Sequence, residues 1–581
     1  MKFMEHRLKV WAPRAGVVTA LVDGHQVPMV RDSPRDGWWT APGTFPTGAR
    51  YGFVIDGEGP LPDPCSRSQP DGIHGLSCLE DSSQYIWSDA SWTPTPWSEA
   101  VVYEAHVGAF SDEGTFQGMI EHLDDLVRLG ITHLELLPVC EFPGSRNWGY
   151  DCVSIYSPSH VYGGPSGLVA LIDECHSRGL AVIIDVVYNH MGPEGNYLDK
   201  FGPYFEGPPT AWGSGPTMEG EGSKDVRSFF IENALMWLRD YHADGLRLDA
   251  IDKIVDNSDV HFLVELRQAV DQLALETRPR VLIAESAQND PIFVRPVSQG
   301  GYGLDAHWVD DVHHAVRTTF TGESQGYYGD FSGAKDLIKA LRQGFVYDGQ
   351  YSQHQEKPRG KSPAGLPPSS FLVCFQNHDQ IGNRPHGDRF HQHRDADYLH
   401  QKVGAALVLL SPFTPMIFMG EEWAATSPFQ FFTDHQDPVL AERVGKGRKE
   451  EFGGQEWNED VPDPQDHACF CRSRLVWEER SEPDHRAMSG WYAELLRLRK
   501  SNGPSQSWAE VDADLEQGWI RMRNGKYAVI AAFGCAKVST PFDIPTSFAA
   551  ILSAGDIRRT AEGKLEFMGP GVIVTSNDNE R

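Results

Sequence analysis

The chain holds no run of 18 apolar residues, so it carries no segment of the kind that crosses a bilayer as a helix. Its first residues, MKFMEHRLKVWAPRAG, lack the apolar stretch of an export signal. A cytoplasmic protein, with no membrane partner, is the expectation. Cysteine is scarce and unpatterned: nine residues, an odd number, with no CxxC pair and no ligand-like spacing. That predicts free thiols in a reducing compartment rather than a disulfide framework. Basic residues are outnumbered, 51 Lys and Arg against 81 Asp and Glu, for a net charge of −30. Such a balance argues against nucleic acid as a partner and is silent about a neutral substrate.

What is present points to a large soluble globular protein. With 581 residues, the chain exceeds one ordinary hydrophobic core, and roughly two to four domains are expected. Residues 1–90 are rich in Gly, Pro and Trp, with short alternating segments such as HRLKVWAP and ARYGFVIDG. They read as an immunoglobulin-like antiparallel β-sandwich. After the linker SWTPTPWSEA (91–100), apolar runs alternate with helical patterns through 91–503. Eight strand candidates, from AVVYEAHVGAF to PMIFMGEE, and a closing helix at 490–501 predict a parallel (β/α)₈ barrel. The segment TFQGMIEHLDDLVRLG reads as one helix. Long insertions cover 321–370 and 421–487. Residues 504–581 return to short alternating segments, a small C-terminal antiparallel β-domain.

In such a barrel the C-terminal ends of the strands share one mouth. Strand three ends in Asp185, Asn189 and His190, strand four in Arg247 and Asp249, strand five in Glu285, and strand seven in His378 and Asp379. A lone Asp after a strand is more often a helix cap than a catalyst, and a lone His is usually structural. Asp185 fits a structural role. The joint set does not reduce to caps. The i, i+2 spacing puts Arg247 and Asp249 on one side of a strand, where a guanidinium keeps the carboxylate ionised. Glu285 directly follows the apolar run LIA, which suits desolvation and a raised pKa. One ionised carboxylate and one protonated acid are what glycoside hydrolysis needs. Asp379, with His190 and His378, then fits a grip on the hydroxyls of the cleaved sugar.

Taken together, DVVYNH (185–190), GLRLDAI (245–251), AES (284–286) and QNHD (376–379) resemble, in order, the four signature segments of the α-amylase superfamily. The resemblance implies a retaining glycoside hydrolase with Asp249 as nucleophile, Glu285 as general acid/base and Asp379 as transition-state stabiliser. It implies that Arg247, His190 and His378 bind around the sugar, with Tyr150 of NWGYD stacked beneath it. SRNWGYD, NHDQIGNR, IAESAQNDP, GESQGYYGDF and GRKEEF are similar to the maltooligosyltrehalose trehalohydrolase branch of that superfamily. From that branch comes the expectation of a maltooligosyltrehalose substrate, cut at the α-1,4 bond next to the trehalose. A synthase making that substrate would precede the enzyme. Trp148, Gln380 and Asn383 join the substrate-binding candidates. So does Asp252, which stands where the branch usually has His. A glycogen branching enzyme and a non-catalytic glycan-binding protein are the alternatives. No cofactor is implied, and Asn189 lacks companion oxygen ligands for a calcium site, so no metal is expected to serve the chemistry. Of the insertion aromatics Trp212, Tyr327, Tyr328, Trp423, Phe431 and Phe432, two or three are expected to stack on glucose units. Glu421 and Glu422 read equally as substrate ligands or loop anchors, and His106 as a site residue or a cap.

Overall fold

Eight short segments, each fully or nearly buried, close into a parallel barrel: β1 (Val102–Ala105), β2 (His133–Leu136), β3 (Ala181–Val186), β4 (Gly245–Leu248), β5 (Val281–Glu285), β6 (Ala306–Val309), β7 (Phe371–Cys374) and β8 (Thr414–Phe418). Every neighbouring pair is parallel, and β8 returns to β1 with Val102 opposite Met416. Strands buried on both faces are near-continuous apolar runs, as in AVIIDV of β3. The computed structural model describes residues 5–33, 36–81, 85–453, 461–505, 507–534, 537–541 and 550–576. Part of the 421–487 insertion, residues 454–460, lies outside that set. Among the described residues no helix is long and apolar enough to cross a membrane.

The outer helices follow from local signals. Asp397 caps Tyr398–Leu409 by accepting from the Leu399 and His400 N–H groups. The closing helix runs Pro483–Asn502, earlier than its apolar pattern begins, because Pro483 sits in the first turn, where a missing N–H costs nothing. The segment expected to form one helix at 115–130 is two, Phe116–Ile120 and Leu123–Leu129. At the break the His122 ring stacks on Trp477, centroids 3.7 Å apart, a contact that local pattern does not report. The insertions are not wholly irregular. The first contains the helix Ala334–Gln343, and the second Pro438–Gly453 and His467–Ser473.

Before the barrel lie a five-stranded antiparallel sheet built on Val18–Val22 and Arg50–Ile55 and a three-stranded one built on Lys9–Trp11 and Trp38–Thr40. Ala20, Phe53, Val10 and Trp39 are buried in their core. These sheets are docked on the barrel: Trp11 meets Tyr204 edge-on at 5.2 Å, and the Trp38 indole donates to Asp225 at 3.0 Å. After the barrel come a five-stranded antiparallel sheet running from Glu510–Asp514 to Gly571–Ser576 and a three-stranded one. The Asn524 amide ties the first to the Leu410 carbonyl at 3.0 Å.

Candidate active site

Strand alternation decides what reaches the barrel mouth. Val102, Ile183, Ile283, Leu372 and Met416 form an apolar cluster separate from the main core. Two residues further along three of these strands stand Glu104, Asp185 and Glu285, so carboxylates lie directly above the apolar cluster. A cavity of about 520 Å³ opens there. Its wall includes Trp148, Tyr150, His190, Arg247, Asp249, Glu285, His378, Asp379 and Asn383, all of them candidates from the sequence.

Arg247 is the electrostatic centre. Its Nη1 donates to Asp185 Oδ1 and Oδ2 at 3.0 and 2.8 Å and to Asp249 Oδ1 at 2.7 Å. Nη2 lies 3.8 Å from Glu285 Oε2, and the guanidinium rests over the Trp308 ring at 4.8 Å. Burial pushes the Asp185 carboxyl up to about 6, against the pull of Arg247. Asp249 receives a second donor, Asn189 Nδ2 at 2.8 Å, while Asn189 Oδ1 faces His190 Nδ1 at 2.7 Å. Both ends of Asn189 thus serve the site itself. Arg247→Ala is expected to destabilise the protein by about 3–5 kcal/mol, because the buried Asp185 and the partly buried Asp249 lose their counter-charge. Urea unfolding of the variant measures this, and a loss below about 1 kcal/mol contradicts it.

His378 is held from both sides. Its Nδ1 donates to Glu104, which also accepts the His378 backbone N–H at 2.9 Å. Its Nε2 lies 2.9 Å from Tyr150 Oη, and that hydroxyl donates its own proton to Asp185 at 2.8 Å. Tyr150 Oη thus bridges His378 and Asp185. Burial alone lowers the His378 pKa, but Glu104 outweighs it and the net shift is upward. The Tyr150 ring stacks on His378 at 5.3 Å. The loop carrying Trp148 and Tyr150 turns at Gly149, φ 110°, where a Cβ would stand 2.5 Å from the Pro138 carbonyl.

Glu285 closes β5. Its Oε2 accepts the Ala250 N–H at 2.5 Å, and Ala250 makes this possible by adopting φ 40° immediately after Asp249. A left-handed alanine at this point is backbone strain located where two carboxylates must be brought together. Burial first, then Asp249, pushes Glu285 well above the ordinary carboxyl range, with Arg247 opposing. Asp379 occupies the first turn of the short helix His378–Gly382, and its Oδ1 accepts from Asn383 Nδ2 at 2.5 Å.

Two candidates are not on the cavity wall. Asp252 sits in a 3₁₀ turn and binds Lys253 Nζ at 2.7 Å and Gln288 Nε2 at 3.1 Å. Gln380 turns away to Tyr327 Oη at 3.0 Å and His314 Nε2 at 3.2 Å. Of the insertion aromatics, Trp212 and Phe431 line the cavity, with Trp212 stacked on His190 at 5.1 Å. Trp423, Phe432 and Tyr328 are buried packing residues. Glu421 and Glu422 are buried anchors, bound by Tyr492 Oη at 3.0 Å and Tyr103 Oη at 3.1 Å. His106 caps the helix Val107–Phe110.

Sequence reasoning missed Glu104, Ala250, Arg448 and Glu451. A carboxylate inside the apolar strand VVYEA was the available signal for Glu104. For Arg448 and Glu451, both on the cavity wall, it was their spacing three apart on one helix. The expectation of free thiols throughout needs correction. Cys140 and Cys152 are disulfide-bonded, and the loop they close carries Trp148 and Tyr150. Both are buried, which shields the bond from thiol exchange, and their separation of 12 matches no short cysteine motif.

Comparison with known proteins agrees with this geometry. Residues 61–214 match the family model "Alpha amylase, catalytic domain". The malto-oligosyltrehalose trehalohydrolase of Arthrobacter ramosus is 44% identical over 580 residues, covering 98% of this chain and 99% of the relative. That of Mycobacterium tuberculosis is 44% identical over 545 residues, covering 92% and 93%. A crystal structure of a Salmonella typhimurium protein assigned as an alpha amylase superposes with a TM-score of 0.89 at 36% identity, covering 99% of both chains. The chain belongs to the malto-oligosyltrehalose trehalohydrolase family, within the α-amylase group of glycoside hydrolases.

Proposed function

We propose that the enzyme hydrolyses the α-1,4-glucosidic bond next to the terminal trehalose of maltooligosyltrehalose, releasing trehalose with retention of anomeric configuration. The observation that carries the chemistry is the meeting of Asp249, Glu285 and Asp379, from three different strand ends, in one cavity with Arg247. The full-length likeness to relatives of that name supports the substrate. A synthase supplying the trehalose end, and a cytoplasmic site of action, belong to the same reading.

The groups divide the work by their surroundings. Asp249, receiving N–H donors from Arg247 and Asn189, attacks the anomeric carbon. Glu285, whose protonated form burial favours, gives its proton to the bridging oxygen, so trehalose leaves as a neutral alcohol. The same carboxylate then takes a proton from water, which releases the sugar from Asp249. Asp379 holds the ring hydroxyls as positive charge develops at the anomeric carbon, and His378 lines the same cavity.

Product analysis tests this reading. Maltopentaose and the same oligosaccharide carrying a trehalose end are incubated separately with the enzyme. Rapid free trehalose from the second, with little change in the first, is expected. Equal cleavage of both makes it an amylase-like hydrolase, and lengthened or branched products make it a transferase. Asp379→Asn should lower kcat far more than it raises KM, whereas a pure KM effect contradicts a transition-state role.

A further inference from the structure

The helix Pro438–Gly453 presents Val444, Gly447, Arg448 and Glu451 to the cavity. That i, i+3, i+4, i+7 spacing marks one helix face, laid along the mouth of the site. Arg448 is the side chain on that face that reaches inward. Its side chain is 9% exposed, and its guanidinium lies over the rings of Phe431 at 5.1 Å and Phe452 at 4.6 Å. A desolvated guanidinium costs stability unless its donors are used. Here Nη2 donates to the Gly382 carbonyl at 2.5 Å and Nη1 to Asn383 Oδ1 at 3.1 Å. Glu451, at 3.0 Å, balances the charge from the solvent side.

Those two bonds end where Asp379 begins. Gly382 closes the short helix that carries Asp379, and its carbonyl is one of those a helix end leaves unbonded. Asn383 has one acceptor and one donor end. With its oxygen committed to Arg448, the NH₂ group faces Asp379 Oδ1 at 2.5 Å. Without the guanidinium the amide is free to flip, which sets oxygen against carboxylate. Gly382 has no room to move: a Cβ there would stand 2.1 Å from the Trp148 ring.

We propose that Arg448 is a positioning residue for Asp379, acting through Asn383, and that the helix 438–453 is the element that sets the carboxylate for the cleaved sugar. This rests on the reading of Asp379 as the group that stabilises the transition state. A guanidinium that instead bound substrate directly, and equally in ground and transition states, would act on KM alone.

The test is a double-mutant cycle on the full-length enzyme with Arg448→Ala and Asn383→Ala, read as kcat and KM on the trehalose-ended oligosaccharide. Each single variant should lose about 10–100-fold in kcat, with KM within about threefold of wild type. The double variant should be no slower than the worse single one. Arg448→Lys, which keeps one donor and the buried charge, should recover part of the kcat lost by Arg448→Ala, at a melting temperature close to wild type. It also serves as the folded comparison if the alanine variant proves unstable. Two losses that multiply, a KM effect with unchanged kcat, or no recovery by lysine in a folded protein would each overturn the proposal. If wild type releases no trehalose, the functional reading fails separately, and the cycle is then read on whichever glucan is cleaved.

Discussion

Asp249→Asn is expected to abolish turnover, by ~10⁴-fold or more, in a protein that still folds. The substituted amide keeps the shape of the carboxylate but removes the negative charge and lone pairs needed to attack the anomeric carbon. Its oxygen can accept from Arg247, as Asp249 Oδ1 does at 2.7 Å. Its nitrogen then faces the Asn189 amide, which now donates to Oδ2 at 2.8 Å. One donor is set against another, at a cost of about 1–3 kcal/mol, so a lowered melting temperature is expected without loss of the native circular dichroism. Activity within about tenfold of wild type would move the nucleophile elsewhere, because no general acid or binding contact can substitute for the covalent step.

The second large effect is at Glu285. Burial raises its pKa first and the neighbouring Asp249 adds to this, which favours the protonated form that the leaving group needs. The sign follows: activity is present below the folded-state pKa of Glu285 and falls as pH rises through it. In Glu285→Gln, kcat on the natural substrate should drop ~10²–10⁴-fold and this alkaline limb should disappear. Activated aryl glycosides, whose leaving group needs no proton, should keep a fast first step and be slowed in release of the sugar from Asp249. A variant equally slow in both steps, or one that retains the alkaline limb, would give the acid/base role to another group. Asp310, whose carboxyl is pushed up to about 6 by burial and then by Asp379, would be the next to examine.

Most site candidates that lie together in the cavity were legible because they follow barrel strands, whereas Trp148, Tyr150 and Asn383 were not among the strand-end residues. Period-two alternation makes the direction of Arg247, Asp249 and Glu285 predictable from spacing alone. The method fails where the chain turns helical beyond the strand. His378–Gly382 is helical, so Asp379 and Asn383, four apart, share a face, while Gln380, about 100° around the axis, points to Tyr327 and His314. Asp252 fails similarly. The left-handed Ala250 reorients the chain after Asp249, and the next turn carries Asp252 to Lys253 and Gln288. Nor does the insertion sequence show which aromatics face sugar. Trp212 and Phe431 reach the cavity, whereas Trp423 and Phe432 are buried.

The sequence by itself determined the barrel and which candidate side chains meet at its mouth. Strand period and strand order together fix which side chains point upward, and the carboxylates proposed to react are local to strand ends. Only the tertiary structure decided what surrounds them. Glu104 reaches His378 across 274 positions, Arg448 reaches Asn383 across 65, and Cys140 finds Cys152 behind the loop that carries Trp148. Such partners are chosen by the closure of the barrel and the path of its insertions. No repeat or spacing in the chain encodes distances of that kind, because they arise only when segments remote in sequence pack against one another.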